Sequence, residues 1–470
     1  MYPPIGILYL SAILKNENFH VDVIDQAAYG LNLEQILKWI KWKDPDVVGF
    51  STLISPYSSV SARIISGEIK KWNPNLKVVF GNKHATYNDY RVLKKYTFID
   101  VCVRNEGEYS FLELIKAFSK NSTLKNIRGI TYRENDRIVR NEDRELIKNL
   151  DLIPFPDRNA LKYEYRANFS GLDLVHEKFT SILASRGCPF NCAYCYSKKT
   201  YRARSLEKVV EEIEYLENEG YKVFNFLDDN FSLHKKRVMK LCSIMKKNRI
   251  DIDWICEGRV DEASIEMLRA MQRANCRFLL YGIESANQRT LNYYNKKITP
   301  AQSILAVDNA RRAKIPYIVG SFILGAPGET IHEIRNTLKF ALKLNLDFPL
   351  INVLAIAPGT AVWNDLVRKN ILIEETYWET GVSMAYLNPE AISASQFKSL
   401  IIETLRKFFL NPKYILKQSY RLSTNSYKFR SVVQGLVHNL KNFKNLRGAR
   451  SISILGPVPL QNFSGAENLK

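Results

Sequence analysis

The chain has 470 residues, with 68 Lys and Arg against 48 Asp and Glu, which gives a formal net charge of +20 at neutral pH. Apolar residues make up 46% of the sequence and charged residues 25%, values that exclude a disordered or fibrous chain. The length suffices for two or three packed domains. Much of the positive excess is local, because residues 406–450 contain eleven basic side chains and no acidic one.

The apolar segment at residues 5–14 has no basic leader and is followed at once by Lys15, Asn16 and Glu17. This pattern predicts neither a signal peptide nor a membrane span. We therefore expect a cytoplasmic protein, and in a reducing compartment clustered cysteines are more often metal ligands than disulfides.

The first third of the chain alternates strand-like and helical patterns. The strand-like runs are residues 21–24, 47–51, 78–80 and 101–103, and the helical patterns are residues 33–40, 61–71 and 111–118. This rhythm predicts βαβ units and a parallel sheet. Small or turn-forming residues follow the strands, namely Ser51, Thr52, Gly81, Asn82, Asn105 and Gly107. In open α/β sheets, ligands bind beyond these carboxyl ends.

A linker is predicted at residues 150–161, where Pro154 and Pro156 interrupt regular structure. Six more strand-like runs follow, at residues 180–184, 223–227, 254–256, 278–281, 318–324 and 351–356. Helical patterns separate them, the first capped by Ser205 and another beginning with Thr299 and Pro300. Polar or glycine-containing segments follow each strand, at the edge where β/α barrels place their chemistry.

Three cysteines follow the first of these strands within eight residues, as Cys188-x3-Cys192-x2-Cys195. Thiolates are soft ligands that select zinc or iron–sulfur clusters. A closed zinc site needs a fourth ligand, and neither a second CxxC pair nor a neighbouring His supplies one. Three ligands on a four-iron cluster would leave one iron open for a substrate or cofactor. The scattered Cys242, Cys256 and Cys276 are interpreted as ordinary buried thiols.

The segment GCPFNCAYCY resembles the signature of the radical S-adenosylmethionine (SAM) superfamily, with Tyr194 at its aromatic position. The resemblance implies that the three cysteines hold a 4Fe-4S cluster whose open iron chelates SAM. Electron transfer would then cleave SAM to methionine and a 5′-deoxyadenosyl radical, which abstracts hydrogen from a substrate.

Later strand ends resemble the same superfamily and imply further SAM-binding residues. In FLDDNF, Asp228 or Asp229 would contact the SAM amine or the substrate, with a helix-capping role as the alternative. In CEGRVD, Arg259 would neutralise the SAM carboxylate or form a structural ion pair. The remaining candidates are Glu284 and Ser285 of YGIESAN, for the ribose or methionine part, and Gly325 and Gly328 of FILGAPGET, beside the adenine.

Residues 2–118 resemble the cobalamin-binding domain fused to many radical SAM enzymes. The pieces that carry the resemblance are YPPIGILYLSAIL, DVVGFSTL, VVFGNKHAT and VRNEGEYSFLEL. It implies a cobalamin site at Ser51, Thr52, Gly81 and Gly107. No DxHxxG sequence is present, so no cobalt-bound imidazole is expected, and His84 is interpreted as a polar loop residue.

The chain begins at MYPP, where relatives have already formed their first strand. In a flavodoxin-like strand order of 2-1-3-4-5 that strand is interior, so its absence would leave its neighbours without a shared partner. We therefore expect either a start further upstream or a damaged domain.

The basic stretch at residues 405–422 interleaves aromatic and cationic side chains. It would lie on an anionic membrane or bind nucleic acid, or form a helical extension that covers the barrel, and the extension is the favoured interpretation. Nucleic acid is not expected as a partner. A small-molecule or lipid-like substrate and an electron donor such as flavodoxin or ferredoxin are expected.

The predicted fold is α/β: a Rossmann-like, flavodoxin-like cobalamin-binding domain, a partial (β/α)6 radical SAM barrel and a helical basic extension. The predicted ranges are 1–145, 146–175 for the linker, 176–395 and 396–470. We expect cobalamin-mediated methylation of an unactivated carbon, with ring closure or rearrangement as one alternative. An inactive corrinoid-binding or electron-transfer protein is another. A tRNA methylthiotransferase is rejected, because its three N-terminal cysteines are represented only by Cys102.

Overall fold

The structure is a computed structural model that describes residues 2–53, 56–135, 137–165, 168–169, 172–173, 177–197, 199–374 and 393–433. Its first sheet has the order β1-β2-β3-β4-β5, in which β1 to β3 run parallel and β4 and β5 antiparallel. The strands are β1 (Val47–Ser51), β2 (Lys77–Gly81), β3 (Val101–Val103), β4 (Ile130–Glu134) and β5 (Arg137–Arg140). The accompanying helices are α1 (Ile5–Asn16), α2 (Gln26–Tyr29), α3 (Leu33–Lys43), α4 (Pro56–Trp72), α5 (Asn82–Lys95) and α6 (Glu108–Ser119).

The prediction of a strand at residues 21–24 is wrong, because these residues have no regular structure. The strand β1 is consequently the edge strand of the described sheet. An alternating apolar run forms a strand only when a neighbouring backbone completes its hydrogen bonds, and none of the described strands lies beside this run.

The second sheet has six parallel strands in the order β15-β14-β13-β12-β11-β8. They are β8 (Phe179–Ile182), β11 (Val223–Phe226), β12 (Asp253–Arg259), β13 (Cys276–Glu284), β14 (Tyr317–Leu324) and β15 (Phe348–Val353). Each overlaps a predicted strand, although the last begins three residues earlier than predicted. Two short antiparallel pairs flank the first strand, β6 (Asn168–Phe169) with β7 (Leu172–Asp173), and β9 (Ser185–Arg186) with β10 (Arg202–Ala203).

Helices follow the barrel strands with the predicted caps. They are α7 (Leu206–Asn218), α8 (Lys235–Lys247), α9 (Ile265–Arg273), α10 (Gln288–Tyr293), α11 (Pro300–Arg312), α12 (Ile331–Lys343) and α13 (Ala361–Arg368). The Ser205 side chain accepts a hydrogen bond from the Lys208 backbone, and Thr299 forms a capping box with Gln302. These contacts satisfy backbone donors at the helix starts, where a cap stabilises by roughly 1 kcal/mol.

Alternation along the barrel strands separates two cores. Side chains on one face, such as Phe224, Trp254 and Leu279, pack with the surrounding helices in the largest apolar cluster. Side chains on the other face form a second cluster with Leu8 and Tyr9 of α1. The inward-facing members are Phe179, Val223, Ile255, Phe278 and Tyr317. Helix α1 therefore packs against the floor of the barrel, and each fully buried apolar side chain there contributes roughly 1.5–3 kcal/mol.

Two helices of the basic extension, α14 (Ala394–Phe409) and α15 (Pro412–Thr424), pack on the barrel. The buried Asp347 carboxylate pairs with Arg311 at 2.5 Å, Arg421 at 3.3 Å and Lys428. The Tyr414 hydroxyl donates to the Asp347 carbonyl at 2.8 Å. The predicted cover of the barrel is thus confirmed for residues 393–433, whereas residues 434–470 lie outside the described ones. No helix in the described part of the chain is long and apolar enough to span a membrane.

Candidate active site

The cysteine loop, residues 187–197, follows β9 and is held by backbone contacts with the barrel edge. The Ala193 N–H donates to the Tyr294 carbonyl at 2.8 Å, and the Ala193 carbonyl accepts from the Val362 N–H at 3.0 Å. The Asn191 carbonyl accepts from the Asn295 side-chain amide at 2.7 Å. Segments after β13 and β15 therefore fix the middle of the loop.

All three cysteines of the loop are free thiols; Cys192 is buried, and Cys188 and Cys195 are half-buried. Among the residues that the structure describes, no three His, Cys, Asp or Glu side chains are placed to hold one metal ion. A 4Fe-4S cluster makes a different demand, because its thiolate ligands bind different irons. Three free thiols on one anchored loop fit that donor set. The remaining cysteines, Cys102, Cys242, Cys256 and Cys276, are buried free thiols, as predicted for the barrel ones.

The Arg259 side chain supports the loop from β12. Its Nη1 lies 3.9 Å from the Cys192 Sγ, and its guanidinium stacks 3.6 Å from the centre of the Phe190 ring. Two hydrogen bonds of 3.0 Å join it to the Asp261 carboxylate, and Nη2 donates to the Lys296 carbonyl at 2.8 Å. Arg259 thus forms the structural ion pair that the sequence left as one of two interpretations. Its positive charge still lies 3.9 Å from the sulfur of a cysteine in the loop.

The Glu284 carboxylate at the end of β13 has one oxygen in use and one available. Its Oε1 accepts from the Tyr194 hydroxyl at 2.9 Å and from the Lys296 ammonium at 2.8 Å. Its Oε2 is buried and has no hydrogen-bond partner among the described residues. A buried carboxylate oxygen without a partner is costly. The group therefore fits a ligand with ammonium or hydroxyl donors, both of which SAM carries.

Backbone geometry also singles out Glu284. Its φ of +65° lies in the left-handed region, which costs energy for a residue with a side chain. At Gly282, a Cβ would lie 2.6 Å from the Glu284 Oε1 and 2.7 Å from the Lys296 Nζ. Gly282 thus leaves the space in which the two charges meet.

Lys296 is a site residue that the sequence reasoning missed. It is buried beside Tyr194, with 3.3 Å between its Nζ and the tyrosine hydroxyl. Burial alone would lower the pKa of Lys296, but the Glu284 carboxylate raises it above its ordinary value, so the ammonium stays charged. In the sequence, Lys296 is one of two adjacent lysines after α10 and has no distinguishing signal.

The two aspartates after β11 have different environments. The Asp228 carboxylate is buried and accepts from the Ala184 N–H at 2.8 Å and from the Ser185 hydroxyl. Burial raises its pKa to about 6, against the lowering effect of these hydrogen bonds. Asp229 is exposed, and its Oδ2 accepts from the Gly187 N–H at 2.8 Å, at the start of the cysteine loop.

The capping alternative for these aspartates is wrong for helix α8. That helix has His234 as its N-cap and no side-chain cap bond. Since both Asp228 oxygens bind the chain itself, Asp229 is the better placed of the two to meet a ligand.

Ser285 directly follows Glu284 in the sequence, but its hydroxyl is already hydrogen-bonded to other groups of the protein. It is fully buried, its Oγ lies 3.1 Å from the Thr337 hydroxyl, and it accepts from the Asn287 N–H at 3.1 Å. These contacts tie β13 to α12. Ser285 therefore stabilises the fold of this edge, because its described side-chain hydrogen bonds go to Thr337 and Asn287 rather than to Glu284 or Lys296.

The turn after β14 contains the two predicted glycines, both with positive φ, +89° at Gly325 and +73° at Gly328. The Gly325 and Ala326 N–H groups donate to the Glu329 Oε2 at 2.6 and 3.2 Å. The Gly328 carbonyl accepts from Arg289 at 2.6 Å. Glycine adopts positive φ at little energetic cost, and the Glu329 and Arg289 side chains hold the turn in this conformation. The turn is therefore preformed.

The carboxyl edge of the first sheet carries the candidate cobalamin residues. The Thr52 backbone N–H and hydroxyl both donate to the Gly81 carbonyl, at 2.9 and 2.8 Å. The Asn82 side-chain amide donates to the Ser51 hydroxyl at 2.9 Å. A Cβ at Gly81 would find its nearest atom, the Phe50 carbonyl oxygen, only at 4.0 Å. This edge is open at Gly81, so a large flat ligand could approach the backbone there.

Two other residues at this edge are placed differently from expectation. The expectation of His84 as a polar loop residue is wrong, because it is buried in the first turn of α5, where burial lowers its pKa to about 4. The backbone N–H of His84 donates to the Thr52 carbonyl at 3.0 Å. Gly107 is the N-cap of α6 and packs against Val103 and Leu10, which would lie 3.6 and 3.9 Å from an added Cβ. The structure therefore places Gly107 against α1 rather than at the open edge.

Helix α5 brings the two edges together. Its Lys83 ammonium lies 5.0 Å from the centre of the Tyr196 ring, in the cysteine loop. Its Tyr87 ring lies against Gly359, where a Cβ would fall 2.3 Å from a ring carbon. The open edge at Gly81, just before this helix, therefore adjoins the loop that carries the three cysteines.

Comparison with known proteins finds a family for each of the two regions of the chain. The family described as the Radical SAM superfamily matches residues 182–341, and the B12 binding domain matches residues 1–115. An uncharacterized methyltransferase of Pyrococcus horikoshii, PH0819, is 34% identical over 441 residues, covering 93% of each chain. The anaerobic magnesium-protoporphyrin IX monomethyl ester cyclase of Cereibacter sphaeroides is 26% identical, over 87% of this chain and 67% of the relative.

Among solved structures, the radical SAM methyltransferase TsrM from Kitasatospora setae has a similar fold. The TM-score is 0.65 at 19% identity, over 78% of this chain and 74% of that one. The chain belongs to the radical SAM superfamily and carries an N-terminal B12-binding domain, and it is an enzyme. The two matched domains imply a 4Fe-4S cluster, SAM and cobalamin as its cofactors, and the predicted α/β fold is confirmed.

Proposed function

We propose that this enzyme methylates an unactivated carbon of a small molecule, with cobalamin as the methyl carrier. The observation that carries the proposal is the meeting of two edges: α5 places the open edge at Gly81 against the loop of the three cysteines. A radical reaction that ends in methyl transfer needs both cofactors within reach of one substrate.

The residues on the two edges divide between the cofactors. Cys188, Cys192 and Cys195 would hold the cluster, and Ser51, Thr52 and Gly81 would border the cobalamin. SAM would be bound by Tyr194, Asp229, Glu284 and Lys296, with the backbone at Gly325 and Gly328 alongside. When bound, the cluster and SAM supply a carbon-centred radical by reductive cleavage, and cobalamin supplies a methyl carrier. An electron donor such as flavodoxin or ferredoxin would provide the electron.

The protein's own groups would bind and orient. The free Oε2 of Glu284 accepts a hydrogen bond from an ammonium or hydroxyl group of SAM, while Lys296 and Tyr194 hold the other oxygen in place. Asp229 offers a second acceptor at the start of the loop. Arg259 keeps positive charge beside Cys192. The buried charges are paired before any ligand arrives, which limits the reorganisation that binding requires.

The inward face of the barrel suggests the character of the substrate. Its floor is apolar and aromatic, with Phe179, Ile255 and Tyr317 facing inward. Glu257 follows Ile255 by two residues on the same face of β12, and its side chain is exposed. Arg259, beside Cys192, comes two residues later. A substrate with an apolar body and a polar group would match this order, and the predicted small-molecule or lipid-like class is of this kind.

Ring closure is the second candidate function, because the cyclase relative matches 87% of this chain. Isotope labelling distinguishes the two. Methylation transfers the labelled methyl group of SAM to the product, whereas ring closure forms 5′-deoxyadenosine and leaves the product unlabelled.

The domain ranges 1–145, 146–175, 176–395 and 396–470 remain part of the proposal.

The test is anaerobic reconstitution of the full chain with iron, sulfide and reductant, followed by assay of 5′-deoxyadenosine. We expect SAM-dependent formation in the wild type, and loss by more than about a thousandfold in Cys192→Ala, because a cluster ligand is removed. Cys242→Ala is the matched control, a buried thiol among the barrel helices, and it should keep the activity. A fully loaded cluster that never cleaves SAM would refute the proposal.

A further inference from the structure

The cysteine loop has a base of unusual charge. The loop begins after Arg186 at the end of β9, and the chain pairs with β9 again at Arg202 of β10. These two arginines lie directly opposite each other in the antiparallel pair. Both side chains are largely shielded from water, with 16% and 8% exposure. Like charges at opposing positions destabilise a two-stranded pair. The two ends of the loop therefore repel unless an anion lies between them.

That anion comes from the other domain. The Glu106 Oε1 lies 3.2 Å from the Arg186 Nη1 and 2.8 Å from the Arg202 Nη2, and its Oε2 lies 2.9 Å from the Arg202 Nη1. The same Oε2 accepts from the Ile147 N–H at 2.8 Å. Burial would raise the pKa of Glu106, but the hydrogen bonds from Arg202 and Ile147 and the charge of Arg186 hold it below its ordinary value.

The two arginines differ in their carboxylate partners, because a second carboxylate pairs with Arg186 but not with Arg202. Glu108 of α6 pairs with Arg186 at 2.6 Å, and the Arg186 guanidinium lies 5.3 Å from the centre of the Tyr9 ring. Arg202 has no carboxylate other than Glu106 in the described ion pairs. Glu106 is therefore the group shared by both arms of the loop, and it lies between β3 and α6 of the cobalamin-binding domain.

We propose that Glu106 is a positioning residue that closes the base of the cysteine loop from the cobalamin-binding domain, so that the loop holds its cluster only while the two domains are docked. The inference rests on the proposed role of the three cysteines as cluster ligands. It adds that the cluster loop is completed by a side chain outside the barrel. Gly107, predicted as a cobalamin residue, then serves the turn that presents Glu106 and Glu108.

The test compares Glu106→Gln with Glu113→Gln in the full chain. Glu113 is a matched control, since it belongs to the same domain and its described ion pair is with Arg144 rather than with an arginine of the loop. Removal of one partner from a buried ion pair is strongly destabilising locally, so we expect a chelator to strip iron from Glu106→Gln about tenfold faster than from the wild type. The electron paramagnetic resonance (EPR) spectrum of the reduced cluster should broaden. Glu113→Gln should match the wild type in both.

The double variant Glu106→Gln/Arg202→Gln distinguishes positioning from general stability. It removes the repulsion between the arms and leaves Arg186 paired with Glu108, so cluster retention should recover at least half of the loss. Circular dichroism of each variant without iron should show unchanged helix content. Unchanged chelation and EPR in Glu106→Gln, equal losses in Glu113→Gln, or no recovery in the double variant would each overturn the inference. A wild type that holds no cluster would instead refute the proposed function.

Discussion

The carboxyl edges of the two parallel sheets are built in different ways. At the barrel edge, charged side chains bind one another, as Glu284 does with Lys296 and Arg259 with Asp261. At the edge of the N-terminal sheet, the contacts are made by backbone and short polar groups, and Gly81 leaves open space. The barrel edge therefore presents charged side chains in fixed positions, whereas the edge of the N-terminal sheet presents an open surface of backbone and short polar groups.

The difference follows what each edge is proposed to bind. SAM is small and charged, so its affinity depends on partners that are already ionised and held in place. Cobalamin is large and is bound over a wide area, so access to the backbone matters more than any single charge. Substitutions should therefore act in different ways at the two edges.

The largest effect is expected from Lys296→Met at the barrel edge. The change leaves the Glu284 carboxylate buried without its cation, and truncating one partner of a buried, hydrogen-bonded charge pair costs about 2–5 kcal/mol. SAM affinity, measured by equilibrium dialysis on the reconstituted enzyme, should fall by about 30-fold or more. The adjacent and exposed Lys297→Met is the control and should bind SAM like the wild type. Equal affinities in the two variants would move the SAM site away from Glu284.

A smaller effect, on a different cofactor, is expected from Gly81→Val. The backbone at Gly81 is extended and an added Cβ meets nothing closer than 4.0 Å, so the fold should tolerate the valine. The side chain would project over the open edge, and cobalamin affinity, followed by its visible absorption, should fall by about tenfold because overlap with a bound ligand is strongly unfavourable. SAM binding should not change. Gly67→Val in α4 controls for the substitution itself, and cobalamin binding that survives Gly81→Val would place the corrin elsewhere.

A pH-dependent effect is expected from Asp228→Asn. The folded pKa of Asp228 is about 6, above the value near 4 of an unfolded chain, so its contribution to stability is present below pH 4 and is lost as the pH rises through 6. In an asparagine, Oδ1 accepts from the Ala184 N–H and the uncharged amide NH2 donates to the Ser185 hydroxyl, which reverses the direction of that second hydrogen bond. The melting temperature of the variant should therefore exceed that of the wild type at pH 7.5, with the difference vanishing by pH 4. A variant that is less stable at pH 7.5 would show that the ionised carboxylate is required.

The smallest effect is expected from Ser285→Ala. The hydroxyl bonds to Thr337 and Asn287, so its loss should lower stability by about 1 kcal/mol in urea unfolding. SAM affinity should stay within about twofold of the wild type, because a hydroxyl whose hydrogen bonds are made within the protein adds little to ligand binding. A large loss of SAM affinity with unchanged stability would return Ser285 to the ligand site.

Much of the fold could be predicted from the sequence because periodicity reports burial. The six barrel strands and the caps at Ser205 and Thr299 were predicted from local pattern. The predicted strand at residues 21–24 failed because a strand depends on a neighbour that periodicity does not reveal.

The site was only partly predictable. Cysteine spacing identified the loop, since the ligands are close in sequence. Sequence alone did not separate Asp228 from Asp229, because adjacent residues in a loop differ only in where tertiary packing turns them. Lys296 and Glu106 were missed for a related reason: each acts through a partner at least twelve residues away. Their roles depend on distances that no local pattern encodes.

The most direct test of the central claim is EPR spectroscopy of the anaerobically reconstituted and reduced enzyme, recorded with and without SAM and accompanied by metal analysis. The account predicts about four irons and four sulfides per chain and a cluster signal that SAM alters, because one iron has no protein ligand. Both should be lost in Cys192→Ala and kept in Cys242→Ala. Zinc in place of iron, or a cluster signal that SAM leaves unchanged, would contradict it.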